Sequence, residues 1–463
     1  MNGDLIVIAL YGAVMLGVGW YAKTRATSRD DYLLAGRRLG YGMYLGTLSA
    51  VVLGGASTIG AMRLGYVHGL SGMWLVFMLG FGVVVLSLMF PHTISTLRLY
   101  TITGLLASRY QQRARQLGGM VMAFCMLMVA VTNTIAIAAI AQGLFHLPHL
   151  PATLVVGMVV VLYSAWGGMW SITLTDICQF AIMTIGIFAI LLPAALRHGG
   201  GWAALHARLP ASFFSLDAIG YPTIAGFFLL YTLGILIGQD IWQRLFTARS
   251  EKVLRYAGLG AGVYCILYGL ACAIIGMAGR TFLPPLDHVD QAFARITLQV
   301  LHTPWRGMVV SAALAAIMST ASAALLGCTT VLRHDVLGQN HATDPDPKGL
   351  GGERTMMLGM GCIMVLIASL MDDVIGALNI AYNLLVGTLL VPTLGALLWR
   401  RANATGAWLA MGAGALAATG CMMAQGIMAP MVPLWSLLAS MVGFVAGSLS
   451  VPASASQPGA TGT

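Results

Sequence analysis

Charge is what this sequence has least of. Only 8% of its 463 residues are Asp, Glu, Lys or Arg, against 58% hydrophobic. A water-soluble chain of this length cannot keep its surface wet on so few charges, so a soluble protein is excluded. Reactive groupings are missing too. No P-loop, HExxH or Ser/His/Asp arrangement occurs, and no enzyme activity or organic cofactor is expected. The seven cysteines show no CxxC spacing and all fall in apolar runs, where they read as small buried hydrophobes. His146 and His149, in "HLPHL", lack further ligand types at metal spacing, so no transition-metal site is expected. The net charge of +9 sits in short segments between apolar runs, which does not indicate a nucleic-acid partner.

Long apolar runs are what the sequence has instead. They are continuous rather than alternating, which excludes a β-barrel and predicts an all-α polytopic membrane protein in contact with the lipid bilayer. We read about thirteen spans, near 4–22, 41–62, 69–90, 117–142, 151–167, 170–195, 223–245, 256–279, 307–333, 355–372, 376–399, 406–426 and 431–451. The first run ends in "KTRATSRDDY" and reads as a retained span rather than a cleaved leader. Residues 1–451 are expected to form a single transmembrane domain. The end, 452–463, is small, polar and Pro/Gly-bearing, a composition that predicts disorder.

Orientation follows from the basic residues. Segments after odd-numbered spans hold every Lys and Arg except Arg63, Arg197, Arg208, Arg280, Arg295 and Arg306. The positive-inside rule then places the N-terminus outside, the C-terminus in the cytoplasm, and the protein in the plasma (inner) membrane. Two spans look broken. The second carries Gly54-Gly55 followed by Ala56-Ser57-Thr58, and the seventh carries Tyr231-Thr232 and Gly234. Each opens a set of five spans, the hydropathic outline of a transporter built from inverted repeats. Residue identity between the halves is too faint to establish the repeat by itself.

Polar residues inside the spans are the candidate site. In "LAAIMSTASAALLG" (314–327), Ala316, Ser319 and Thr320 are spaced i, i+3, i+4 and share a helix face. Two hydroxyls and a carbonyl there suit a hard monovalent cation, and an unwound helix would supply further carbonyls. The competing reading is hydroxyls bonded back to their own helix. Asp176 is the carboxylate placed well inside a span, costly unless functional, although an Asp near a helix start also serves as a cap. Asp240 lies beside Arg244, and a salt bridge is its expected role. Arg63 falls near the outer end of the second span, where it could fork onto an anionic solute or snorkel to the headgroups.

Several stretches, in order along the chain, resemble the sodium:solute symporter family: "SRDDYLLAGRRLG" (28–40), "YSAWGGMWS" (163–171) with "TDICQ" (175–179), "QDIWQRLFTARS" (239–250), "AAIMSTASAALL" (315–326) and "WRRANATGA" (399–407). The resemblance implies a LeuT-type five-plus-five core over about 41–399, with spans 1, 12 and 13 peripheral. It implies Na+ as coupling ion, held by the backbone oxygens of Ala50, Leu53 and Ala316 and the hydroxyls of Ser319 and Thr320. Some family members have a second sodium site near the equivalent of Asp176. Ser322 fits that pattern, but Ala323 stands where those members have another Ser. Where the family usually has a Gly-Pro-Gly-like run, this chain has "GAMRLG", with Arg63 in it. Cavity residues by depth and family position are Ser57, Thr58, Trp74, Phe77, Asn133 and Tyr231. The expected activity is Na+-coupled import of a small polar organic solute, with a carboxylate suggested by Arg63, by a monomeric or weakly oligomeric protein. Two alternatives stay open: proton coupling through Asp176, and a sensor domain of the same fold.

Overall fold

The computed structural model describes residues 2–23, 34–96, 101–145, 147–166, 169–338 and 350–450. The expected disordered tail, Arg25, Arg29, Arg98 and Lys348, residues 28–33 of the first family-like stretch and 167–168 of the second lie outside them. Among the described residues every regular element is helical, apart from one isolated bridge between Leu39 and Ala248. Among the described residues nine helices are long and apolar enough to cross a membrane, ten if the bent pair Tyr221–Ile235 and Gln239–Leu245 is one span. Shorter apolar helices at Tyr41–Val52, His149–Leu162 and Thr355–Ser369 supply the remaining expected segments.

Helix α1 (Asn2–Lys23) stands outside the repeats. The first broken helix consists of α2 (Tyr41–Val52) and α3 (Ala61–His68). After it come α4 (Trp74–Met89), α5 (Gly104–Phe145), α6 (His149–Trp166) and α7 (Met169–Thr184). The second broken helix contains α8 (Tyr221–Phe227) and α9 (Gln239–Leu245). It is followed by α10 (Glu251–Gly279), α11 (Trp305–Val331), α12 (Leu350–Ser369) and α13 (Val374–Leu385). A hairpin of α14 (Ala404–Gln425) and α15 (Val432–Ser450) completes the chain.

Both breaks have local causes. Leu53 leaves helical geometry (φ −92°, ψ 67°). At Gly54 an added Cβ would lie 2.6 Å from Asn133 Oδ1 and 2.8 Å from Thr320 Oγ1, so only glycine lets the chain pass this close. The second helix bends by 47° ahead of Gln239, through an extended Gly238 (φ −65°, ψ 125°).

Packing displays the repeat that residue identity hides. α4 lies along α10, α5 along α11 and α6 along α12: second on second, third on third, fourth on fourth. Unlike pairs come in twos, α5 with α13 matching α11 with α7. A two-fold axis through the core produces this pattern. Widened π turns recur at equivalent places, Ala56–Gly60 and Phe228–Thr232 in the broken helices, Ile185–Leu191 and Val386–Leu390 in the fifth members. Such packing needs small residues at the crossing. A Cβ on Gly80 of α4 would sit 2.7 Å from the Gly262 carbonyl oxygen of α10. Outside the repeats, α1 is tied down where Asp4 accepts from Arg306 Nε at 2.7 Å and from Thr303 at 2.8 Å.

Candidate functional site

The face predicted on α11 meets the end of α2. Ser319 Oγ donates to the carbonyl oxygens of Ala50 (2.9 Å) and Ala316 (2.8 Å). Thr320 Oγ1 reaches the same two carbonyls at 3.4 and 3.3 Å and that of Val51 at 2.9 Å. Back-bonding within the helix and contact across to the broken helix therefore coexist. A hard cation with ligands at about 2.3–2.6 Å, the calcium range, sets neighbouring oxygens of an octahedral shell about 3.3–3.7 Å apart. The Thr320 contacts to Ala50 and Ala316 already meet that, the 2.8–2.9 Å contacts must widen by about half an ångström or more, and the oxygens are uncharged donors suited to a monovalent ion. Leu53 makes no hydrogen bond to Ser319 or Thr320; among backbone oxygens, that of Val51 takes the bond from Thr320 instead.

Beside this cluster lies a cavity of about 30 Å³ that touches both breaks. It has room for about one water. Of the cavity candidates, Ser57 and Asn133 line it, together with Thr132, Thr320, Tyr382 and Asp240. Asn133 closes the first break, accepting from the Gly55 amide at 2.8 Å while donating to Val129 O at 2.7 Å. Tyr382 packs on the glycine of the second broken helix, since a Cβ on Gly234 would lie 2.2 Å from its ring.

Two carboxylates change roles against expectation. Asp176 is not isolated: its Oδ2 accepts from Arg244 Nη2 at 2.9 Å and from Thr47 Oγ1 at 2.5 Å. Arg244 also donates to Thr47 O at 3.3 Å. The expected Asp240–Arg244 salt bridge does not form. Arg244 gives Asp240 only a bond to its carbonyl oxygen, 3.3 Å, and turns its charge to Asp176. Sequence neighbours four apart could have paired, but packing of α9 against α2 brings Asp176 within reach of the guanidinium instead. Ser322 donates back to Ser319 O at 3.1 Å and does not join Asp176. On the same side, Asp335 accepts from Thr101 (3.1 Å), Thr103 and Arg115 Nε (2.6 Å), while the Ile102 amide donates to Gln239 at 3.0 Å.

The opposite end opens into a cavity of about 470 Å³. Arg63 lines it but does not face it as a free cation. Its Nη1 bonds Asp373 at 2.8 Å and both oxygens of Asp290 at 3.2 Å. Asp287 and Asp372 line the same cavity, so its charged groups are mostly negative. Burial pushes the Asp290 carboxyl above the ordinary carboxylate value; Arg63 pulls it down and Asp373 pushes it up again.

The remaining cavity candidates line neither space. Thr58 shares a 3.0 Å hydrogen bond with the Tyr268 hydroxyl, and Tyr231 donates to Asn379 at 2.6 Å. Trp74 donates to Leu216 O at 2.6 Å and packs edge-on against Phe77 at 4.9 Å. Thr47, Arg244, Asp240, Asp290 and Asp373 are the polar residues that sequence reasoning missed as site members. Asp240 had a signal, its place two residues after Gly238 in a broken span. The others had none without tertiary contacts.

A family model described as the sodium:solute symporter family matches residues 32–414. Curated sodium/proline symporters of Staphylococcus aureus, from strains JH9 and NCTC 8325 / PS 47 among others, are 25% identical over 442 residues, covering 89% of this chain and 84% of theirs. Among solved structures, a Na+-coupled sialic acid symporter in a substrate-bound outward-open state superposes with TM-score 0.82 at 16% identity, covering 97% of both chains. The transporter MhsT in complex with L-phenylalanine superposes at 0.55 with 13% identity, over 88% of this chain and 98% of that one. These likenesses carry the LeuT-type fold.

Proposed function

The chain belongs to the sodium:solute symporter family, and from that premise we propose that it imports a small polar organic solute with Na+ held between α11 and the first broken helix. The protein is an integral membrane transporter and not an enzyme, and its family couples solute movement to sodium. The observation that carries the finer reading is the convergence of Ser319 and Thr320 on the carbonyls of Ala50 and Ala316. Leu53, released from helical geometry, is assigned a fifth oxygen. Na+ there pins the broken helix to α11. It thereby favours the conformation that accepts solute, since a ligand shifts an equilibrium only by its differential affinity.

The basic side is taken as cytoplasmic and the Arg63 side as external. Then the central cavity sits between an open outer vestibule and an inner closure made by Asp176, Arg244 and Thr47. At about 30 Å³ it is far below the 300–1,000 Å³ of a solute site, so binding requires the broken helices to part around it. Release inward requires the Arg244–Asp176 contact to open. Asp176 Oδ2 is already engaged by Arg244 and Thr47, so any ion-carrying role for this carboxylate would also require that contact to open. Arg63, its charge shared by two aspartates, gives no support to an anionic solute. The test is uptake in proteoliposomes under an imposed Na+ gradient, alongside a thermal transition measured in Na+ and in K+. Loss of both sodium effects in Ser319→Ala with Thr320→Ala is the expected result. An undiminished sodium shift in that variant removes the assigned site.

A further inference from the structure

Asp240 is buried, 5% exposed, on the wall of the cavity that touches both breaks. Its Oδ1 accepts the adjacent Ile241 amide at 3.0 Å. Among the described residues no cation lies within ion-pair distance of it; the Arg244 guanidinium contacts Asp176 and acts on Asp240 only from further away. A buried carboxylate without a cation is expensive, and inside a membrane the cost is larger still. Structural carboxylates in this chain avoid the cost: Asp176 has Arg244, Asp335 has Arg115, and Asp4 has Arg306. Among the buried carboxylates of the described residues, Asp240 has no cation in contact, and it lines the central cavity.

We propose that Asp240 is the counter-charge for a protonated nitrogen on the transported solute, making this a symporter of amine-bearing compounds. The proposal rests on the sodium-symport reading and adds the substrate class to it. The cavity wall suits such a group. Thr132, Asn133 and Thr320 line the same cavity as the carboxylate, and the Tyr382 ring gives an aromatic surface to a cation. The approach suits it as well. Asp287, Asp290, Asp372 and Asp373 line the outer vestibule against one Arg, so a cationic group is drawn in and a bare anion is opposed.

The experiment uses the purified full chain and matched probes, each with and without a protonated nitrogen: L-alanine with L-lactate, L-proline with N-acetyl-L-proline, and D-glucosamine with D-glucose. Thermal stabilisation is titrated in Na+. Stabilisation should be confined to amine-bearing members, with about tenfold or more lost in apparent affinity when the charge is removed. Asp240→Asn should abolish that preference, while its Na+ shift without solute shows that it is folded. Asp240→Glu should keep the preference at weaker affinity. Equal binding of lactate or glucose-type members, no binding by any amine, or full preference retained in Asp240→Asn overturns the proposal. Loss of the solute-free Na+ shift in Asp240→Asn also overturns it, by making Asp240 a sodium ligand. Amine-selective binding with no Na+ shift in the wild type would instead sustain Asp240 and remove the sodium reading.

Discussion

Arg244 Nη2 lies 2.9 Å from Asp176 Oδ2, with side chains 1% and 0% exposed. Thr47 binds both partners, giving a hydroxyl to the carboxylate and a carbonyl to the guanidinium. The pair joins α9, α7 and α2, so it holds both broken helices to the fifth member of the first set. Removing one partner of a buried pair leaves the other charge uncompensated, at a typical cost of about 3–5 kcal/mol. Asp176→Asn and Arg244→Gln should each lower the thermal transition strongly. The double variant should recover part of the loss, because no net charge stays buried. A double-mutant cycle on the purified protein measures this, and strictly additive losses would show that the two side chains do not depend on each other.

Much of this architecture was legible in the sequence, and the reason is periodicity. Apolar runs announce spans because the bilayer imposes their length. Gly54-Gly55 announced the first break; the second falls at Gly238, past the Tyr231-Thr232 and Gly234 that the sequence pointed to. The Ala316, Ser319, Thr320 face was legible because helix geometry alone places those residues together. What failed to show was partnership across helices. Asp176 and Arg244 are 68 positions apart, and Arg63 is 310 from Asp373. Nothing local encodes such pairs. The local rule even misled at Asp240, where an i+4 arginine suggested a bridge that packing redirected.

The two hydroxyls on α11 should not be equivalent. Ser319 sits at 2.9 and 2.8 Å from the Ala50 and Ala316 carbonyls, Thr320 at 3.4 and 3.3 Å. Ser319→Ala removes the hydroxyl closer to both carbonyls and should erase most of the sodium-induced stabilisation. That stabilisation amounts to about 2.7 kcal/mol at a hundredfold excess over the dissociation constant. Thr320→Ser keeps the oxygen and should retain most of it. Sodium titrations of the thermal transition compare the two; a larger loss in Thr320→Ser would reverse the assignment.

Gly54→Ala should be harmful where Gly12→Ala is neutral. At Gly54 the new methyl meets Asn133 Oδ1 and Thr320 Oγ1 at 2.6 and 2.8 Å; at Gly12 nothing lies within 4 Å. Overpacking of this kind costs about 1–3 kcal/mol, and here it also spreads the cluster proposed for sodium. The Gly54 variant should therefore show a lowered transition and a weaker apparent sodium affinity together. A lowered transition with unchanged sodium affinity would separate the break from the ion.

Arg63→Gln should make stability fall more steeply as pH rises. The variant leaves Asp290 and Asp373 near one another with no cation between them. The Asp290 carboxyl, already above its ordinary value of 3.8 through burial, loses the guanidinium that pulls it down. It then rises further in the folded state and stays near 3.8 when unfolded. A folded state that binds more protons than the unfolded chain loses stability as pH rises through that window, upward from 3.8. Each tenfold change in proton affinity corresponds to about 1.4 kcal/mol. The deficit of Arg63→Gln against wild type should thus be small near pH about 5 and larger near pH about 8. Adding Asp290→Asn should flatten the difference, since the titrating carboxyl is gone. Thermal transitions of the three proteins across that range provide the measurement. A deficit that shrinks as pH rises would mean that Arg63 holds the vestibule by packing rather than by charge.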